Sequence, residues 1–273
     1  MEGLYPKILP SARPAPSVSY TGSWPKVEED EAARVINSLN NQKAPGPDGI
    51  KAQAIKEAWK VEEFKQYAMA LFRAYVENGY HPRSWRQSQT VVLPKSNKKD
   101  YTLVKSYRPI SLLNNMGKVL EKIIEARLTY LTRYTLPTNQ FGGRQGYSAP
   151  DAVLKLVHDA KTCKRTTSAI MVDIKGAFDR VHRDTLIDTL ESMSLPTAAI
   201  SWVHHFLTER CTSLVVDGRV SHSRPVQREF LKGHLSPHFS SCFILLPCVR
   251  SSRIMEVSAL YMLMTSLSMS KEV

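Results

Sequence analysis

The sequence predicts an α+β fold, in which helices pack beside a small antiparallel sheet. Several segments repeat apolar residues at the spacing of three and four that makes an amphipathic helix. Short runs rich in β-branched residues, bounded by turn residues, have the character of strands. With 273 residues, 42% of them hydrophobic, the chain is long enough for one large domain or two small ones with a packed core.

The first elements are a linker and a helix. Residues 1–28 hold five prolines and few periodic apolar positions, which is typical of a linker, here from a missing upstream region. Over 29–41 the spacing predicts a helix that places Ala33, Ile36 and Leu39 near one face. The segment KAPGPDGI (43–50) that follows is a loop rich in proline and glycine.

A second helix is predicted over 62–78. Gly79 is suited to cap its C-terminus, and Pro82 stops it. The residues expected on its apolar face are Phe64, Tyr67, Ala68, Leu71 and Tyr75. After this helix, TVVLPK (90–95) predicts a strand, and SNKKD (96–100) a basic turn.

The second half of the chain is also predicted to contain both helices and strands. A helix within MGKVLEKIIEARLTYL carries a stripe that we expect in the core: Val119, Leu120, Ile123, Ile124 and Leu128. Ser148 and Asp151 fit a capping box before another helix. The remaining predictions are a strand over 168–173, helices Arg183–Met193 and Thr197–Thr208, and a hairpin over 212–220 with an Asp217-Gly218 turn.

Charge indicates the kind of partner. The net charge of +12 and the isoelectric point of about 9.5 favour a polyanionic partner, usually nucleic acid, over the alternative of a basic surface that binds no such partner.

No apolar run in the sequence is long enough to span a membrane, and the N-terminus lacks the form of a signal peptide. The four cysteines lack the spacing of a zinc site, and we expect them to be reduced thiols: Cys163, Cys211, Cys242 and Cys248. We therefore expect an intracellular protein, nuclear or cytoplasmic, that is not secreted and does not contact a membrane.

The segment IMVDIKGAFDRV (170–181) places an acid, Asp173, at the end of a hydrophobic strand. Asp173 could cap the helix that follows, or it could bind Mg²⁺, as strand-end carboxylates do in polymerases with two metal ions. Phe178 could be an ordinary core aromatic. Asp179 we assign to the N-terminus of a helix, where the helix dipole favours an acid.

Five segments in order resemble the reverse transcriptase domain of non-LTR (LINE-like) retrotransposons, especially those of fungi. They are KAPGPDGI (43–50), VVLPK (91–95), SYRPISLLNNMGKVLEKIIEARL (106–128), NQFGGRQGYSAPDAVLKLVH (139–158) and MVDIKGAFDRVHRDTLIDTL (171–190). The resemblance covers residues 30–226. It implies a right-hand polymerase fold with fingers over 29–135, a partial palm over 136–226 and no thumb.

The same resemblance implies the site residues. Asp173 is similar to the first Mg²⁺-binding acid of the palm, and Phe178 to the steric gate that disfavours a ribose 2′-OH. Arg108 and Lys95 are similar to cations that meet the triphosphate, although Lys95 could be a solvated lysine. The partners implied are an RNA template, a DNA primer and deoxynucleotides. The template-side positions, which could also be plain turn and surface residues, are Gln140, Arg144, Asp48 and Gly49.

The resemblance ends near Arg228. The family pattern continues with a Gly-x-Pro-Gln-Gly loop and a Tyr-Ala-Asp-Asp motif, yet from 219 to 273 the only acids are Glu229, Glu256 and Glu272. We also considered a shifted reading frame, in which the third base of each codon is read together with the first two bases of the next. In that frame the ten pairs of adjacent codons that begin at Arg228 are compatible with the sequence Gly-Val-Pro-Gln-Gly-Ser-Pro-Leu-Ser-Pro. The pairs that begin at Tyr261 are compatible with Tyr-Ala-Asp-Asp. We therefore interpret 227–273 as an out-of-frame tail, with coincidence in a drifting tail as the alternative.

Without the second motif, Asp173 lacks partners for two metal ions, and we expect RNA-directed DNA synthesis to be lost, as in a pseudogene. The alternative function is a non-catalytic, basic remnant that binds nucleic acid through phosphate contacts. A third possibility, an intron maturase, would need a flanking intron-binding domain and fits the form of FGGRQGYS less well.

Overall fold

The computed structural model describes residues 24–133, 140–142, 144, 146–163, 183–216 and 218–226. Within these residues five strands form one sheet in the order β2-β1-β3-β4, and β5 also pairs with β3. The strands are β1 (Gln87–Pro94), β2 (Tyr107–Leu113), β3 (Cys211–Val216), β4 (Arg219–Val220) and β5 (Arg224–Pro225). The predicted strand at 90–95 and the predicted hairpin at 212–220 are confirmed, whereas the predicted strand at 168–173 lies outside the described residues.

Seven α-helices occur in the described part of the chain: α1 (Glu29–Asn37), α2 (Ala52–Ala58), α3 (Glu62–Glu77), α4 (Asn115–Thr132), α5 (Ala149–Thr162), α6 (Arg183–Ser192) and α7 (Thr197–Leu207). The predicted helices are confirmed, although α1 ends four residues earlier than expected, at Asn37. The capping box that begins α5 is confirmed: the Asp151 carboxylate accepts hydrogen bonds from the backbone N–H of Ser148 at 2.7 Å and from its hydroxyl at 2.6 Å. None of these helices is long and apolar enough to cross a membrane.

The sheet is mixed, so the prediction of an antiparallel sheet is wrong for one of its pairings. β1 and β2 are antiparallel, with Val91 opposite Ile110, whereas β1 and β3 are parallel, with Gln89 beside Ser213. Parallel strands cannot be joined by a tight turn and need a crossover connection. The paired residues of β1 and β3 lie 124 positions apart, and no local pattern in the sequence signals a pairing over that distance.

The core is centred on α4. All five residues predicted for its apolar stripe, from Val119 to Leu128, are fully buried, which confirms the prediction. They belong to one cluster with apolar residues of α1, α2, α3, α6 and α7. This cluster joins residues from both sides of the fingers–palm boundary predicted at 135/136, so the two segments are packed as one unit in the part of the chain that is described.

The predicted apolar face of α3 is confirmed in part. Ala68 is buried, and Phe64 and Tyr75 are partly buried and pack against the core, whereas Tyr67 is 74% exposed and Leu71 is also exposed. The face that enters the core is instead formed by Ala68, Met69, Phe72 and Val76.

Gly79 ends α3 as the sequence predicts. Its φ of +58° is in the left-handed region, which glycine enters without a steric cost. The N–H of Gly79 bonds to the carbonyl of Val76 and that of Tyr80 to the carbonyl of Tyr75, which is the Schellman arrangement. A Cβ on Gly79 would lie 2.4 Å from the carbonyl oxygen of Ala198, so the same glycine allows α7 to approach closely.

Residues 24–28, which were assigned to the N-terminal linker, are packed onto the helices. Val27 is fully buried, and its carbonyl accepts a hydrogen bond from Nε of Arg73 at 2.9 Å. The guanidinium of Arg127 on α4 donates to the carbonyls of Pro25 and Lys26 and pairs with Glu31 at 2.6 Å. These five residues are therefore part of the folded unit.

Buried charges lie where α7 passes into β3. Arg210 and Glu121 are both almost fully buried, and Arg210 also donates to the carbonyl of Phe206 at 3.0 Å. Burial raises the pKa of Glu121 to about 8, against the opposing attraction of Arg210. Burial and the nearby charges of Arg210 and Arg86 hold the pKa of His81 well below its usual value, so this histidine is neutral at pH 7.

We expect Glu121 to make the stability of the fold depend on pH. Because its folded-state pKa is raised, its contribution to stability is complete below pH 4.5 and is lost as the pH rises through about 8. Glu121→Gln, which cannot ionise, should therefore flatten the decline of the thermal midpoint between pH 5 and pH 9. Glu57→Gln, at a carboxylate that is 60% exposed, is the matched control. A Glu121→Gln variant that loses most stability at pH 9 would show that the carboxylate is ionised and held by Arg210.

Candidate functional site

Lys95 and Arg108, the two predicted triphosphate cations, lie together at the end of the β1–β2 hairpin where a loop joins the two strands. Arg108 is exposed and stands opposite Leu93 in the register. The backbone N–H of Lys95 donates to the carbonyl of Ser106 at 2.9 Å, which continues the ladder past the end of β1. Lys95 and Arg108 are thus diagonal neighbours across the hairpin. The ammonium group of Lys95 bonds to the carbonyl of Lys105 at 2.9 Å, which holds it beside the loop.

The loop that contains Asp48 and Gly49 is built against the start of α4. The side-chain amide of Asn115 donates to the carbonyl of Ile50 at 2.7 Å, and Oδ1 of Asn114 accepts from the backbone N–H of Asp48 at 3.5 Å. The carboxylate of Asp48 accepts from the N–H of Ile50 at 3.0 Å, so its role within the described residues is to shape the turn. Gly49 supplies the left-handed position of this turn, with a φ of +70°.

The structure places these two groups at opposite ends of β2. Arg108 is near its first residue, whereas Asn114, which contacts the Asp48 loop, directly follows its last. The six residue steps from Arg108 to Asn114 span about 20 Å in an extended strand. The predicted template-side residues Asp48 and Gly49 therefore do not join Lys95 and Arg108 in one cluster.

Gln140 and Arg144 lie between α4 and α5. Gln140 is only 3% exposed, and neither its amide nitrogen nor its amide oxygen has a hydrogen-bond partner among the residues described. The guanidinium of Arg144 lies 4.5 Å from the centre of the Tyr147 ring and donates to the carbonyl of Arg133 at 3.5 Å. Arg144 is thus held by an aromatic face, as a planar guanidinium often is.

The remaining predicted site residues, Asp173 and Phe178, lie outside the described residues, as does Asp179. Within the described ranges no group of three or more histidine, cysteine, aspartate or glutamate side chains could hold a metal ion. The geometry that can be stated for the site is therefore that of its cationic and template-side residues.

The sequence analysis missed the two asparagines that carry the Asp48 loop, Asn114 and Asn115. A signal was present, because the pair stands directly before a helix, where asparagine is a favoured capping residue. In the structure neither the side chain of Asn114 nor another side chain caps α4. Asn114 faces the loop instead, and Gly46 packs so closely on it that a Cβ would lie 2.3 Å from the Asn114 nitrogen.

Comparison with known proteins identifies the class to which this fold and these residues belong. The sequence model of the reverse transcriptase (RNA-dependent DNA polymerase) family matches residues 93–244, more than half of the chain. The match begins in β1 and includes Lys95, Arg108, Gln140 and Arg144. The chain belongs to the reverse transcriptase family.

Its relatives identify the branch of that family. The RNA-directed DNA polymerase from mobile element jockey of Drosophila melanogaster is 30% identical over 220 residues, which cover 78% of this chain and 24% of that protein. A probable RNA-directed DNA polymerase from transposon BS of the same species is 30% identical over 229 residues, covering 81% and 25%. A Pol polyprotein from the retrotransposable element R1 of Bradysia coprophila is 32% identical over 173 residues, covering 62% and 16%. The chain is a reverse transcriptase domain of the non-LTR retrotransposon type, and it spans about a quarter of the length of its first two relatives.

The contact between the Asp48 loop and α4 should be sensitive to one added methyl group. Gly46→Ala would push a Cβ into backbone atoms of Leu113 and Asn114, which cannot move without shifting α4. We expect a loss of about 2–3 kcal/mol in the free energy of unfolding, measured in urea. At Gly49 a Cβ meets nothing within 4 Å, so Gly49→Ala should cost only about 1–2 kcal/mol of backbone strain. Equal losses for the two variants would contradict the close packing at Gly46.

Proposed function

We propose that this chain is a piece of an RNA-directed DNA polymerase from a retrotransposon of the fungal type, in which Lys95 and Arg108 bind the triphosphate of the incoming deoxynucleotide. The observation that carries the proposal is the placement of these two cations as neighbours across an exposed hairpin, inside the segment that matches the family. A guanidinium presents a planar pair of N–H donors that suits phosphate oxygens. Lys95 already donates to a carbonyl oxygen, which a phosphate oxygen could replace.

On the template side we propose Gln140, Arg144, Asp48 and Gly49 as contacts with the RNA strand. Gln140 offers the best support, because its buried amide has no partner among the described residues, and such a group is costly unless something supplies one. The loop of Asp48 and Gly49 contacts Asn114, which lies about 20 Å from Arg108 along the direction of β2, so these residues would contact a different part of the RNA strand. The other partners proposed are a DNA primer and deoxynucleotides, in the nucleus or the cytoplasm.

For the chemical step the family implies a divalent metal ion, typically Mg²⁺, which stabilises the charge that develops on the transferred phosphate. We propose Asp173 as the acid that would hold it and Phe178 as the residue that excludes a 2′-OH. The sequence supplies few partners for this acid, since the tail from 227 onward carries only the acids Glu229, Glu256 and Glu272 and lacks the Tyr-Ala-Asp-Asp motif. We therefore propose that the chain as given does not polymerise.

A single change of reading frame near residues 226–228 would account for this loss. The codons of the amino-acid sequence permit both missing motifs in the shifted frame, the Pro-Gln-Gly loop from Arg228 and Tyr-Ala-Asp-Asp from Tyr261. The family match extends past this point, to residue 244. Leu-Ser-Pro at 235–237 can be read at the same positions in both frames, so a continuing match is compatible with the change.

The second candidate function is a non-catalytic protein that binds nucleic acid. The observation that favours it is the net charge of +12, which does not depend on the metal site. Binding through phosphates alone is weak, insensitive to sequence and steeply dependent on salt. Asp173→Asn would leave such binding unchanged.

Arg108 should dominate binding of the triphosphate. Arg108→Ala is expected to weaken the affinity for a deoxynucleoside triphosphate by about tenfold or more, because charge-assisted hydrogen bonds contribute about 1.5–3 kcal/mol each. Arg108→Lys should recover only part of the loss, since an ammonium lacks the planar fork. Equilibrium dialysis with labelled nucleotide measures both. Arg34→Ala on α1 is the control, and an equal loss there would show that the affinity reflects net charge alone.

The frame proposal is tested by the nucleic acid itself. Sequencing the transcript across codons 220–273 should show third bases that encode Tyr-Ala-Asp-Asp in the shifted frame. Third bases that exclude Asp-Asp would refute the proposal.

The proposed inactivity is tested by primer extension on an RNA template. The chain as given should not extend the primer, whereas a frame-restored chain of matching length should incorporate deoxynucleotides unless Asp173→Asn is introduced. Robust incorporation by the chain as given, abolished by Asp173→Asn, would contradict the proposed inactivity.

A further inference from the structure

β2 lies at one edge of the sheet. Within the described residues β1 is the only strand that pairs with it, so its other side faces no strand there. An edge strand can pair with a strand of another molecule, above all where the segment is apolar and carries little charge. Ile110 is 43% exposed, and Arg108 is the only charged residue in YRPISLL (107–113). Apart from its proline, β2 therefore has the sequence of an edge that is prone to pairing.

The register between β1 and β2 determines which side of β2 each backbone group faces. In an antiparallel pair, residues that exchange hydrogen bonds with the opposite strand alternate with residues whose N–H and C=O point away from it. The N–H of Lys95 donates to the carbonyl of Ser106 at 2.9 Å, and this pair continues the register of the two strands. Bonded pairs recur at every second residue, so the backbone groups of Arg108 and Ile110 face β1.

Pro109 belongs to the other set, so its nitrogen faces away from β1. It lies opposite Val92, between two bonded pairs. The hydroxyls of Thr90 and Ser111, a pair of the same set as Pro109 and Val92, lie 3.3 Å apart, as expected where the side chains of non-bonded pairs come closer together. Since proline has no N–H, the outer side of β2 lacks a donor near its centre, while the ladder with β1 loses no bond.

We propose that Pro109 prevents the outer edge of β2 from pairing with β2 of a second copy of this chain. In an antiparallel pair of two copies with Pro109 opposite Pro109, Tyr107 of each copy would lie opposite Ser111 of the other. Arg108 would lie opposite Ile110, so no like charges would face each other. The two central hydrogen bonds would be missing, because neither proline can donate. The inference does not depend on the proposed function, since it concerns only the backbone of the sheet.

The inference is tested by giving the edge its missing donor. Pro109→Val should make the full chain self-associate at least about tenfold more strongly, because two interchain hydrogen bonds become possible and valine favours a strand. Sedimentation velocity at several concentrations measures the association of the variant and of the unaltered chain. Pro94→Val is the control. Pro94 lies opposite Tyr107 in the same non-bonded set, so its nitrogen faces away from β2 and the change leaves the outer edge of β2 as it is.

A second variant separates pairing at this edge from association elsewhere. Ser111 also directs its N–H outward, so a proline there blocks the same edge without removing a bond to β1. The Pro109→Val, Ser111→Pro double variant should therefore associate as weakly as the unaltered chain. Ser111→Pro alone, which loses the hydroxyl contact with Thr90, is the reference for any change in stability.

Hydrogen exchange reads the edge directly, because Pro109→Val adds an amide at position 109. This amide should exchange rapidly in dilute solution, where it faces solvent, and slowly at concentrations at which the variant associates. Protection of the amide in dilute solution as well would show that position 109 faces β1, which would overturn the inference.

Two results of the sedimentation experiment would also overturn it. If Pro109→Val associates no more strongly than the unaltered chain, Pro109 does not prevent pairing at the edge. If the double variant associates as strongly as Pro109→Val alone, the association does not use the outer edge of β2.

Discussion

The burial of one side of α4 is the constraint on which the other features depend. Its stripe from Val119 to Leu128 is fully buried, so the helix cannot rotate or slide without exposing it. β2 ends at Leu113, only one residue before the cap of α4, so the position of the hairpin follows from that of the helix. Asn114 and Asn115 at the start of α4 hold the Asp48 loop, and Arg127 near its end holds residues 25 and 26. A single packed helix thus orients both the exposed hairpin and the loop.

The sequence predicted the elements whose determinants are local. The capping box at Ser148 and the left-handed glycine after α3 are encoded within a few residues, and both are present. The parallel pairing of β1 with β3 is not, because its partners lie 124 residues apart and pair only once the helices between them are packed. The exposure of Tyr67 and Leu71 has a related cause, because the packing of neighbouring helices decides which apolar residues of α3 are buried.

The candidate site likewise has some features that the sequence predicts and others that depend on the packing of distant segments. Lys95 and Arg108 could be found from their motifs, and the antiparallel register makes them neighbours across the hairpin. The separation of Arg108 from the Asp48 loop could not be predicted, because it depends on which end of β2 meets α4. The buried pair of Glu121 and Arg210 also escaped the sequence analysis. Glu121 occurs in a helix with several other charged residues, and only the packing of the structure shows that its carboxyl is buried near Arg210 and that burial governs its pKa.

The last described residues bear on whether the fold requires the tail. The N–H of Val226 bonds to the carbonyl of Arg210 at 2.9 Å, and β5 pairs with the first residues of β3, so the described sheet is bounded by β5 on this side. Within the described residues the core cluster draws on residues up to Val226, at the edge of the proposed frame change. A change of frame after this point would therefore leave the residues of the described core cluster unaltered, while it would remove the acids that the proposed polymerisation needs. The lysines and arginines of the described residues would be unaltered as well, so nucleic-acid binding could be tested separately from catalysis in this chain.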